Sequence, residues 1–147
     1  MAYCEITDIK SKLPAAEVQQ LIDDTGTETE LVKDARITAA ILAADKIIDS
    51  YCGQKYTVPF SSTPAVIKNI SIDLSIWELA SRRWGMLEAP AMIKTNKDNA
   101  MSLLKDISKG SAIISVPAPL KNPKKVGSTL ITSDSRILSR DSLKGLL

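Results

Sequence analysis

Histidine, the side chain that most often serves as general base and metal ligand, is absent from all 147 residues. Any enzyme chemistry would have to run on carboxylates, lysines or the two cysteines. Cys4 and Cys52 stand far apart without partner cysteines, which excludes the usual zinc spacings and leaves both reading as plain thiols. The acidic run Asp23-Asp24-Thr25-Gly26-Thr27-Glu28-Thr29-Glu30 has oxygen enough for calcium. Its spacing lacks the alternation of ligands around a glycine at the sixth position, so it reads as a solvated helix connector. A phosphate-cradling glycine loop, a Gly-x-Ser-x-Gly elbow and a dinucleotide fingerprint are all missing from the sequence. No enzyme, cofactor or metal is expected.

Two further groups of residues point to contacts rather than catalysis. Trp77 and Trp84 lie seven apart, on one face of a helix, where they serve either as anchors of a subunit interface or as ordinary core. Arg82-Arg83 could meet phosphates, in a binding mode that weakens steeply with salt. The basic C-terminal stretch lacks the interleaved aromatics that stack on bases, and no helix-turn-helix with a basic second helix is apparent.

The elements that must position these residues are helices. Thr7 suits the cap of a short turn ending at Leu13-Pro14, and Pro14 suits the first position of a helix through Ala15, Val18, Leu21 and Ile22. After a polar loop to about Lys33, Ile37, Ala40, Ile41, Ala44, Ile47, Ile48 and Tyr51 recur at three and four positions, predicting an amphipathic helix from Asp34. Its other face is expected to carry Lys33, Arg36, Asp45, Lys46 and Asp49. Gly53 follows as a C-cap, a place that often takes a positive φ.

Pro64, preceded by Thr63, opens a helix through Ile67, Ile70, Leu74, Trp77 and Ala80 to Trp84, ended by Gly85. Its apolar residues occupy more than one stripe, so it is either central to the core or covered by another subunit on its second face. A fourth helix spans Pro90 to Ser108 and closes at Gly110. Ser111 to Val116 reads as one short strand, which needs a partner strand, from this chain or from a neighbouring one.

Composition fits one soluble globular domain with a tail: 44% of residues are hydrophobic and 24% charged, with a net charge of +2. Residues 1–116 form the expected helical domain, with 13 Lys+Arg against 15 Asp+Glu, and residues 117–147 an extended arm, with 6 against 2. Pro117, Pro119 and Pro123 impose extended geometry on that arm, and its end, Ser139 to Leu147, is a short amphipathic piece marginal on its own. No stretch is apolar enough to cross a bilayer, and Met1 to Leu13 lacks the apolar run of a signal peptide. Synthesis in a reducing cytoplasm is the expectation.

The order Ile37 to Tyr51, then Gln54-Lys55-Tyr56-Thr57-Val58-Pro59, then Pro64-Ala65-Val66-Ile67-Lys68 leading to Arg82-Arg83, resembles the phage Mu-type small neck protein family found in many prophages. The opening Met1 to Ile9, the Leu21-Ile22-Asp23-Asp24 turn and the closing Ser139 to Gly145 run are also similar to it. The family is itself similar to the head-tail connectors of long-tailed phages. The resemblance implies a mainly α, four-helix bundle-like connector fold with one short strand and an extended C-terminal arm. It implies a homo-oligomeric ring, a dodecamer by expectation, seated beneath the portal in the virion neck after assembly in the host cytoplasm, with DNA passing close to the channel wall. Partners would be the portal and a tail-completion, stopper or tail protein, with no membrane involved. On this reading Ile137, Leu138, Arg140, Leu143, Lys144, Leu146 and Leu147 form a portal-docking arm, and Trp77, Trp84, Arg82, Arg83, Ile113 and Ile114 a subunit interface. The alternative is a nucleic-acid-binding phage accessory protein that uses Arg82, Arg83 and the basic arm.

Overall fold

A computed structural model describes residues 2–115. They are mainly helical, in the order α1 (Ile6–Lys12), α2 (Ala15–Ile22), α3 (Glu30–Cys52), α4 (Ala65–Glu88) and α5 (Ala91–Lys109). The expected four-helix arrangement resolves into three long helices and two short ones. α3 packs on α4 and α5, α4 packs on α5, and α1 and α2 lie across α3 and α4.

Helix boundaries follow local chemistry. The cap of α1 is Glu5 and not Thr7, because the Asp8 carboxylate reaches back to accept the Glu5 backbone N–H at 2.9 Å. Pro14 sits one position outside α2, as its cap residue. α3 begins at Glu30, four residues before the expected Asp34, since Thr29 already accepts backbone bonds from Val32 and Lys33. Gly110 ends α5 in the left-handed region at φ 84°, as a C-cap glycine does. Gly53 does not: its φ is −60°, and glycine is favoured there because a Cβ would lie 2.8 Å from the Asp49 carbonyl oxygen and 3.3 Å from Val58 Cγ2. Gly85 breaks the helical path of α4, with φ 72° and ψ 172°.

The core divides into two apolar clusters along the α3–α4 seam. One joins Ile9, Val18, Leu21 and Ile22 of the short helices to Ile37, Ile41, Ile72, Ile76 and Leu79. The other joins Tyr3, Tyr56 and Phe60 to Ile48, Ile67, Ile70, Leu74, Leu104 and Ile107. Between them runs a polar band. Asp45 accepts the Tyr3 backbone N–H at 3.1 Å and the Ser71 hydroxyl at 2.8 Å, and the Ser75 hydroxyl bonds back to the Ser71 carbonyl oxygen at 2.6 Å. Tyr3 also donates its hydroxyl to Asp49. The N-terminal segment is thereby clamped over α3 and α4.

Of the two readings of α4, the central one holds, since it packs on α1, α2, α3 and α5 within the chain. Two expectations change here. Lys33 and Asp45 are buried and not on an outer face. They fall on the same register as the core, Lys33 four residues before Ile37 and Asp45 four after Ile41, and each is retained by polar partners. Ser111 to Ser115 forms no strand, and among the described residues there is none. The segment is tied down instead by backbone bonds from Ser111 and Ala112 to the Asp106 carbonyl oxygen and by the Ile114 N–H, which donates to the Tyr56 hydroxyl at 2.9 Å. Residues 117–147, including the arm positions Ile137, Leu138, Arg140, Leu143, Lys144, Leu146 and Leu147, lie outside the described residues.

Candidate assembly surfaces

The acidic connector between α2 and α3 is open to solvent along Thr25, Gly26, Thr27, Thr29 and Glu30, as expected, but its carboxylates are engaged by cations of the same chain. Arg82 grips Asp24 with both guanidinium nitrogens, at 2.8 and 3.1 Å, Arg83 adds a bond at 3.2 Å, and Arg36 approaches the same carboxylate at 3.2 Å. Arg36 also pairs with Glu28, and Lys33 bridges Asp23 at 3.1 Å and Glu30 at 3.2 Å. Planar guanidiniums suit such two-point contacts with carboxylates. Arg82 and Arg83 therefore hold the loop to α4, and their cationic tips face an internal partner before any external one. Among the described residues no group of carboxylates and thiols is arranged to hold a metal ion.

These pairs contribute to the acid response of the fold. The Arg82 hydrogen bonds hold the Asp24 carboxyl below its ordinary range, and Arg36 does the same for Glu28. A carboxyl depressed in the folded state contributes stability that is fully present above its unfolded value, near pH 4, and is lost as pH falls through the folded one. Burial raises the Asp45 and Asp73 carboxyls, so these two act in the opposite sense. We expect Asp24→Asn to melt lower than the parent at neutral pH, with the gap closing below about pH 4. Thermal melts across that range measure it; a gap independent of pH would assign the loss to packing.

Trp77 and Trp84 are half-buried against the cluster containing α1 and α2. The Lys97 ammonium sits over the Trp77 ring, 5.3 Å from its centre, in a cation–π contact. Both rings thus have one side in the core and one at the surface.

The exposed large apolar side chains lie elsewhere. On α3 the outward positions Leu31, Val32, Ala35, Ala39 and Leu42 present an uncharged stripe, on which Leu31 is 82% exposed and Leu42 51%. Asp34 and Arg36 flank it, but each pairs within the chain, Asp34 with Lys10 at 2.8 Å. Beside Leu42, a depression of about 400 Å³ opens between α1 and α3, lined by Ala2, Cys4, Ile6, Ile41 and Leu42 together with Glu5, Thr7 and Thr38. Sequence reasoning missed this surface by assigning charges to the outer face of α3. The signal was present in the Leu31, Ala35, Leu42 spacing, which lies off the Ile37, Ile41, Ile48 stripe.

The other candidate interface residues separate sharply. Ile114 is buried and anchors the segment after α5, whereas its neighbour Ile113 is 82% exposed. Val66 and Met92 are further exposed apolar residues, at the starts of α4 and α5.

Taken with the helical fold, the comparison with known families places the chain among bacteriophage proteins. Residues 3–132 match the family described as Bacteriophage Mu, Gp36, and the chain belongs to that family. No curated protein matches it. The match ends before the leucine-bearing terminus that begins at about Ile137. No helix among the described residues is long and apolar enough to cross a membrane.

Proposed function

We propose that this chain is a structural, non-enzymatic head-tail adaptor subunit. It forms a ring beneath the portal and joins the DNA-filled capsid to the tail through a tail-completion, stopper or tail protein. The observation that carries this reading is a phage-family chain whose large apolar side chains remain uncovered on the outer face of α3 and at Ile113 after α5, with Val66 and Met92 at the starts of α4 and α5. Large apolar surface left open on a well-packed domain marks a place of contact. Copies in a ring can cover such surfaces on one another. The mild acidic excess of residues 1–116 suits a channel wall, since like charge keeps DNA from sticking as it passes.

In this reading the end of the arm docks on the portal, where Leu143, Leu146 and Leu147 would each contribute about 1.5–3 kcal/mol if fully covered. The test is removal of residues 136–147. The truncated protein should keep its melting temperature and lose its place in capsids; virions completed at normal yield by the truncated protein would refute the docking role.

The nucleic-acid reading is favoured by the basic arm alone, because Arg82 and Arg83 are engaged by Asp24. DNA affinity measured across salt separates the two readings. An accessory binder loses orders of magnitude as salt rises, whereas an adaptor shows little affinity at any salt.

A further inference from the structure

The exposed Ile113 and the α1–α3 depression have the properties of a knob and a socket. Ile113 is held out by an anchored backbone: Ile114 is buried beside it, the Ile114 N–H is bonded to Tyr56, and Ala112 is bonded to the end of α5. A backbone held in this way has little freedom left to lose when the side chain it carries is covered, which favours binding. The socket, about 400 Å³ and largely apolar, has room for a branched aliphatic side chain and part of the segment that carries it. Its lining comes from the N-terminal segment, α1 and α3 only. Ile113 is not among the residues that line the socket, so knob and socket are different surfaces, although the N-terminal segment and the segment after α5 share the cluster of Tyr3, Tyr56, Phe60 and Ile114.

From this geometry we infer that Ile113 of one copy seats in the socket beside Leu42 of the next copy, forming the repeating contact of the ring. The inference rests on the adaptor reading and deepens it by naming the surfaces that meet. Two different patches make a head-to-tail contact, which either closes into a ring or runs on as a filament, whereas a patch that meets itself stops at a dimer. The chain continues beyond Ser115 for 32 residues, all of which start from this contact. Seating Ile113 in the neighbour would deliver the arm at the junction between two subunits. Both partners of the contact are apolar, so neither needs a charge across the interface.

The test uses the full-length chain with Leu42→Cys and Ile113→Cys together, mildly oxidised under conditions in which the parent assembles. A ladder of dimers, trimers and higher species is expected on a non-reducing gel, with the singly substituted Leu42→Cys protein giving none. Because native Cys4 lines the socket, bridging of Ile113→Cys to Cys4 would count equally in favour. In parallel, Ile113→Asp and Leu42→Asp should each weaken association by roughly tenfold or more, with unchanged melting temperatures, since both sites are exposed. Oligomers that assemble normally without crosslinking, or crosslinking that stops at dimers, would overturn this interface while leaving the adaptor role standing. A parent protein that neither self-associates nor joins capsids would instead remove the adaptor reading itself.

Discussion

Phe60→Ala is expected to destabilise the domain by about 3–5 kcal/mol and to lower its melting temperature by about 10–20 °C. Phe60 is the only phenylalanine in the sequence and is 1% exposed, although it sits in the connector between α3 and α4 and not on a helix. Its ring centre lies 5.7 Å from that of Tyr3 and 6.1 Å from that of Tyr56, both rings tilted against it, at separations within the favourable range for aromatic pairs. Its backbone N–H donates to the Tyr3 hydroxyl at 3.3 Å. Removing the ring opens a cavity where the N-terminal segment, the connector and the segment after α5 converge. Phe60→Leu, which keeps most of the volume, should cost only about 1–1.5 kcal/mol. Calorimetry that shows less than about 3 °C between Phe60→Ala and the parent would mean the connector is not part of the core.

Asp45→Ala should cost about 2–4 kcal/mol in denaturant unfolding, because it strands the Tyr3 N–H, worth about 1–3 kcal/mol when left without a partner, and leaves the Ser71 hydroxyl only the weak Cys4 sulfur acceptor at 3.3 Å. Asp45 is 5% exposed, and burial pushes its carboxyl pKa up, so its charge is held at some expense. Asp45→Asn preserves an acceptor oxygen without that charge and should recover at least half of the loss. Equal loss in both variants would show that the charge, and not the hydrogen bonding, holds the band together.

Much of the architecture was legible because helical periodicity is a strong signal over long segments. The Ile37 to Ile48 spacing, the Pro64 and Pro90 starts and the Gly110 stop reappear within a residue or so, whereas Gly85, the expected stop, is a break inside α4, which runs on to Glu88. Lys33 and Asp45 misled because residue type suggested solvent while their register pointed to the core; what keeps them inside are partners distant in sequence, Asp23, Tyr3 and Ser71. The same blindness hid the ionic cluster at Asp24, whose partners Arg82 and Arg83 lie 58 and 59 residues away. Ser111 to Ser115 has the composition of a strand, but pairing needs an edge, and Ile114 finds Tyr56 instead. Among the candidate interface residues, the tryptophans could be placed on one helix face but not divided between core and surface, and Ile113 could not be told from Ile114. That distinction depends on which of two adjacent side chains a tyrosine hydroxyl helps to turn inward.

The carboxylate and hydroxyls that separate the two apolar halves also act as a gauge. Greasy seams between helices tolerate sliding, but bonds of fixed length from Asp45 to Ser71 and Tyr3 do not, so α3 cannot creep along α4 without breaking them. In a closed circle of identical copies, any angular error in one unit is multiplied by the number of units. In the ring proposed above, a rigid internal ruler in each copy would allow the last to meet the first.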